Sequence, residues 1–296
     1  MPHMEDLKEQ VIRKARELGL TDIRFASTEG SLSYAGGTFV SLQSCLPGAR
    51  SLIVLFAAYQ PGGPAPEGRM PLSAYYTASN FAYHAGRALT EYLISQGASA
   101  IHLPSLPARA AALRTGGFIG DNGFYYHPRL GSLVCIQTIL TDAMLPPDDA
   151  EEGPGCRHCG ACTRACPSGA AGNADLCLRR HMNGLIPEPL RGGVYQLLGC
   201  EKCQTACPLN HFESGKPVSF PLEALLDASA LPELKQLVGP NMARPMRVKS
   251  QAALYAANTK QYQLASQLAE LAGCGFEPVA THAAWAFNYL QKEAKP

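Results

Sequence analysis

Cysteine spacing constrains this chain more than any other feature. The run Cys156-x2-Cys159-x2-Cys162-x3-Cys166-Pro167 is followed by an incomplete copy, Cys200-x2-Cys203-x3-Cys207-Pro208, and Cys177 lies between them. In the bacterial two-cluster ferredoxin pattern, three closely spaced thiolates wrap one cubane and the fourth, set before a proline, ligates the other. Eight thiolates suffice for two four-iron clusters. The crossed logic of the pattern assigns Cys156, Cys159, Cys162 and Cys207 to the first cluster, and Cys166, Cys177, Cys200 and Cys203 to the second. Structural zinc normally uses paired Cys-x2-Cys knuckles and closes with four ligands, and a disulfide scaffold spreads its cysteines through a short secreted chain. Neither fits this run. Of the 11 cysteines, the remaining three, Cys45, Cys135 and Cys274, read as ordinary buried thiols.

Two adjacent clusters conduct electrons, and electrons need a destination. The chain has 296 residues, so the long stretch ahead of Cys156 is too large to be a cluster holder alone. Its periodicity alternates between helix and strand. A helix is expected over 5–18, a short strand over 22–26, a strand buried on both faces over 51–56 and central in its sheet, and a Pro- and Gly-rich loop over 61–71. A helix N-capped by Ser79 runs to Gly97, strands follow at 100–103 and 133–140, and an Ala-rich helix lies at 107–113. A polar linker over 146–155 leads into the cysteines, and patterns at 221–238 and 248–272 read as helices. With 46% hydrophobic and 17% charged residues the chain is expected to be globular, and its net charge of +1 supplies no global basic field for nucleic acid. A local basic patch such as Arg179-Arg180-His181 stays open, with an exposed helical face as the other explanation. No apolar run approaches the roughly 18 residues of a membrane span, and no leader is visible after Met1, so no membrane partner and a cytoplasmic location are expected.

Between Thr115 and Gly123 lie four glycines, which imply positive φ or close approach of backbone to something bulky; a plain loop is the other reading. Together with Leu46-Pro47-Gly48-Ala49-Arg50-Ser51-Leu52-Ile53-Val54, Tyr83-His84, Gly116 to Asn122, Gly131-Ser132 with a strand ending at Thr141-Asp142, Ile186 to Arg191, Tyr195 to Gln204 and the whole cysteine pattern, this segment resembles the epoxyqueuosine reductase family. These are cobalamin-dependent iron–sulfur oxidoreductases related to reductive dehalogenases. The resemblance covers most of the chain. It implies an α+β architecture: a nitroreductase-like α/β corrinoid-binding domain over 1–150, a ferredoxin-like module over 151–212 and a helical C-terminal segment over 213–296.

The resemblance further implies a corrinoid lined by Tyr83, His84, Gly116, Gly117, Gly120, Asn122, Gly131 and Ser132, with one 4Fe-4S cluster passing single electrons to cobalt. A low-potential donor of the flavodoxin or ferredoxin type is the implied partner, and tRNA or a corrinoid protein a further one. The family's proton-donating aspartate has no counterpart in Ile101-His102-Leu103-Pro104, Asp121 stands where the family usually has lysine, and 89 residues follow Cys207. If a proton is still delivered, His102 is nearest in register, with Tyr75, Tyr76, Tyr125, Tyr126 and His127 as other groups able to reach a substrate. Three readings therefore stand: a cobalamin-dependent reductase; an electron carrier or corrinoid-reducing protein without an organic substrate; and a ferredoxin fused to a flavin-binding domain, for which no motif speaks.

Overall fold

The computed structural model describes residues 4–33 and 37–293, with side chains from residue 7. Residues 1–3, on which the reading of a leaderless start partly rests, lie outside them. The chain divides into two compact units, Met1–Tyr59 with Ala78–His158, and Gln60–Thr77 with Cys159–Pro296.

The first unit is built on a sheet of four antiparallel strands, in the order Asp22–Ser27, Ser51–Ala58, Val134–Thr141, Ala100–His102. Ser51–Ala58 sits inside the sheet, and its first seven residues are buried, as a continuous aliphatic run demands. The alternation of helix and strand did not produce a parallel sheet, because the strands pair as antiparallel neighbours throughout. Leu52, Val54 and Phe56 pack on one face with Leu42, Ala111 and Leu140. The N-terminal helix spans Met4–Glu17, the Ala-rich helix Ala108–Leu113, and a small hairpin pairs Phe118–Ile119 with Tyr125–Tyr126 inside the glycine segment.

Ser79 does not cap the long helix, which spans Ala74–Ser95. Tyr75, Tyr76 and Thr77 have poor helix propensity, and a distant carboxylate described below holds the first turn. The end of the expected loop at 61–71 forms a strand, Arg69–Pro71, paired with Ser219–Pro221 in the second unit. That unit is otherwise short helices around the cysteines and a helical C-terminal part. The run expected at 221–238 divides into Leu222–Leu226 and Leu231–Val238 at Ala228, whose φ is +75°. The next divides into Pro245–Asn258 and Ala265–Ala272 around Lys260. Helix Val279–Glu293 escaped the periodicity because a histidine, His282, occupies its buried stripe of Val279, Ala283, Ala286 and Leu290. The core of this unit joins these helices to Leu178, Met182, Ile186 and Leu197. Among the described residues no helix is long and apolar enough to cross a membrane.

Candidate functional site

All eleven cysteines are free thiols. Gly155, His158 and Gly160 take positive φ, which coils the chain through the first spacing motif before the helix Ala161–Ala165 begins. Burial raises the Cys166 thiol, but the Ser168 hydroxyl, 3.2 Å from its sulfur, and the amides of Ser168, Ala170 and Gly169 outweigh it and hold the thiol below its ordinary value. Such a cradle of donors suits a thiolate ligand.

Cys200 is shifted the other way, first by burial and then by the nearby Cys177 and Cys166. Burial likewise pushes Cys203 up to about 12, with Cys200, Cys177, Cys166 and Cys162 adding to it. Cys200 and Cys203 are thus disfavoured as thiolates by burial and by the thiols gathered around them. A metal centre compensates such a shift, because it deprotonates a coordinating thiol outright. The donor chemistry of Cys166, Cys177, Cys200 and Cys203 therefore fits the second cluster. Four thiolates would satisfy a zinc ion equally well, and it is the first spacing motif that favours iron and sulfide. Cys135 is buried, whereas Cys45 and Cys274 are half-exposed rather than buried, near chain turns.

Two groups went unread in the sequence. Glu201, between Cys200 and Cys203, is 2% exposed. Its Oε1 accepts from Ser73 Oγ at 2.8 Å and from the Tyr75 amide at 3.2 Å, capping the helix Ala74–Ser95. The Arg179 guanidinium lies 3.8 Å from the Tyr75 ring centroid, which occupies one of the tyrosines proposed as a proton source. In the first unit, His158 Nδ1 pairs with Asp121 Oδ1 at 2.9 Å, and the ligating atoms of Asp121, Cys156 and His158 lie within 4.8 Å of one another. Only spatial proximity could have revealed either group.

The glycine segment is packed against its own chain. A Cβ on Gly116, φ +113°, would lie 2.1 Å from the Glu151 carbonyl oxygen, and one on Gly117, φ +75°, 2.3 Å from that of Tyr126. A Cβ on Gly120 would lie 2.7 Å from the Tyr126 ring. These glycines are thus required within the protein, whatever else approaches them. Asn122 is buried and donates from Nδ2 to Tyr126 Oη at 2.9 Å while accepting the Phe124 amide. Gly131 exchanges backbone hydrogen bonds with His127, and Ser132 is buried.

A second group gathers Tyr83, His84 and His102. Tyr83 and His84 are exposed on their helix, and the Tyr83 ring lies 5.2 Å from that of His102. His102 Nε2 donates to Gln137 Oε1 at 2.9 Å, and burial holds its pKa below the ordinary histidine value against that hydrogen bond. The ring is neutral at pH 7. Of the other proton sources, burial pushes Tyr125 up to about 12, and buried His127 bonds Asp22 Oδ2 through Nε2 and the Arg129 amide through Nδ1. Asp22 also receives Arg24 at 3.0 Å and Arg129 at 3.1 Å, at the wall of a charged cleft completed by Glu151.

No family model matches the chain. Among curated proteins it is 40% identical over 127 residues to an epoxyqueuosine reductase of Burkholderia pseudomallei, covering 38% of this chain and 30% of that one. It is 28% identical over 255 residues to that of Bacillus cereus, covering 70% and 65%. The matched segments thus span less than two thirds of these relatives. Among solved structures, the epoxyqueuosine reductase of Bacillus subtilis, with its catalytic loop swung out of the active site, superposes with a TM-score of 0.78 at 25% identity, covering 97% of this chain and 91% of that one. An epoxyqueuosine reductase holding an epoxyqueuosine-modified tRNA-Tyr stem loop superposes with a TM-score of 0.77 at 25% identity over the same shares. The chain resembles epoxyqueuosine reductases in sequence and in its mixed α+β fold.

Proposed function

We propose that this chain, similar to epoxyqueuosine reductases along most of its length, is a cobalamin-dependent iron–sulfur reductase of that kind. The observation that carries the reading is the gathering of Cys166 and Cys177 around Cys200 and Cys203, cysteines drawn from both spacing motifs and the stretch between them. Cys156, Cys159, Cys162 and Cys207 hold the other cluster in this reading. Residues 1–150 form a nitroreductase-like corrinoid-binding domain, 151–212 a ferredoxin-like module and 213–296 its helical support.

A corrinoid supplies a cobalt ion that accepts single electrons. Tyr83 and His84, exposed on their helix, offer rings to a flat macrocycle. Gly116, Gly117, Gly120 and Asn122 shape the loop beside it, and Gly131 and Ser132 hold the turn into the strand Val134–Thr141. His102, held by Gln137 through Nε2, is the proton-delivering residue in this reading, and it does so after taking up a proton at Nδ1. The electron donor is a small protein of the flavodoxin or ferredoxin type, and the substrate the epoxyqueuosine of a tRNA anticodon loop. The likeness to enzymes favours this reading over an electron carrier without an organic substrate.

The test is anaerobic purification, reconstitution with iron and sulfide, addition of cobalamin, and incubation with an epoxyqueuosine-containing tRNA stem-loop and a strong reductant. About eight irons per chain, a bound base-off cobalt signal by EPR and conversion of the nucleoside are expected. Full iron with cob(II)alamin reduction but no conversion would instead support a corrinoid-reducing protein, and iron without cobalamin affinity would remove the cobalamin assignment.

A further inference from the structure

The segment between Cys177 and Cys200 has little regular structure beyond the short helices Leu178–His181 and Glu188–Arg191, yet Leu178, Met182, Ile186, Val194, Leu197 and Leu198 are buried. Backbone polar groups in such a segment must find partners. Several find them on the C-terminal helices. Gln251 uses both ends of its amide: Oε1 accepts the Leu198 amide at 2.6 Å and Nε2 donates to the Met182 carbonyl at 2.7 Å. His282 Nε2 accepts the Ile186 amide at 3.0 Å, which leaves the proton on Nδ1, beside Ser250 Oγ. Asn258 Nδ2 donates to the Arg191 and Val194 carbonyls, both at 2.9 Å. Gln251 is 1% exposed and His282 fully buried, so neither group can exchange its partner for water.

Leu198, two residues before Cys200, has a φ of +71°. A leucine in the left-handed region persists only where its surroundings over-determine it. The Gln251 carbonyl holds its amide in that conformation.

We infer that Gln251, His282 and Asn258 form a hydrogen-bonding template that sets the path from Cys177 to Cys200 and thereby positions thiolates of the second cluster. The inference rests on the iron–sulfur reading above. A purely apolar contact could bury this segment, but it would not fix the chain's register as directional bonds to both ends of one amide do. All three are positioning residues, acting on the ligands through the backbone.

Full-length Gln251→Leu keeps the volume and removes both amide bonds, His282→Phe removes the acceptor for Ile186, and Gln251→Glu keeps an acceptor for Leu198. After anaerobic reconstitution, Gln251→Leu and His282→Phe are expected to hold about half the wild-type iron and to lose the EPR signal of one cluster, with Gln251→Glu restoring it. A full complement of iron with unchanged spectra and midpoint potentials in both variants would overturn the template. Hydrogen exchange before reconstitution separates this from the parent reading. The Ile186 and Leu198 amides should exchange at least tenfold faster in the variants while the strand Ser51–Ala58 stays protected, and unchanged rates overturn the template whether or not the wild type takes up iron. Wild-type protein that binds no iron sinks the cluster reading alone. If Gln251→Leu does not fold, Asn258→Ala, at a half-buried site, is read at the Val194 amide, which donates to the Arg191 carbonyl that Asn258 holds, and unchanged exchange there overturns the template.

Discussion

Asp22 illustrates how single residues in this protein are held by several partners at once. Burial raises its carboxyl pKa, but His127, Arg24 and the Ile23 amide outweigh burial and hold it well below the usual carboxylate range. Its stabilising contribution is therefore complete above the unfolded value near 4 and declines as pH falls below it. Asp22→Asn should destabilise the fold by about 2 kcal/mol at pH 7, because Arg24 loses a close ionic partner; urea unfolding with an unchanged m-value would check this. At Gly116 the constraint is steric. Gly116→Ala places a methyl against the Glu151 backbone and at an unfavourable φ, for an expected loss of about 3 kcal/mol or more. A cost below about 1 kcal/mol would mean that the 115–123 loop is not held as described. The four-glycine segment was legible as a place of close approach, but what does the approaching, the protein's own Glu151 and Tyr126, was not.

At the scale of elements, the protein repeatedly satisfies the end or the path of one segment with a side chain far away in sequence. Glu201 caps the helix Ala74–Ser95 from more than a hundred residues downstream, so Glu201→Gln should lose the charge–dipole part of that cap, about 1 kcal/mol, while keeping its hydrogen bonds. Thermal unfolding of the two chains at pH 7 would measure it. His282 couples the helix Val279–Glu293 to Ile186, and burial pushes its pKa down to about 4 from an ordinary 6.5. The unfolded chain thus binds the proton more readily than the folded one. Stability should be undiminished above about pH 6.5 and should fall as pH drops toward 4, by about 3 kcal/mol in total. A His282→Phe chain should show a flatter stability profile across that window in chemical denaturation. The position of this helix was hidden from periodicity by the same histidine.

For the whole molecule, the two units differ in what holds them. The first has a sheet with a continuous apolar core, and the second depends on helices packed around an irregular, thiol-lined segment. Iron chelation should accordingly raise amide exchange over 159–207 by an order of magnitude or more while Ser51–Ala58 and Val134–Thr141 keep their protection, since metal affinity is folding free energy only for the part that binds the metal. Uniform loss of protection would show that the sheet also depends on the clusters. The cysteine spacings, the buried strand over 51–56 and the Ala-rich helix at 108–113 were readable from the amino-acid order, because each depends on side chains a few residues apart whose period or spacing is itself the physical signal. The start of the helix at Ala74, the capping by Glu201, the Asp121–His158 pair beside Cys156 and the Gln251 amide spanning Met182 and Leu198 were decided in three dimensions. Their energetics rest on burial and on hydrogen bonds between groups tens of residues apart, and no local pattern records which donor a folded chain will bring to which acceptor.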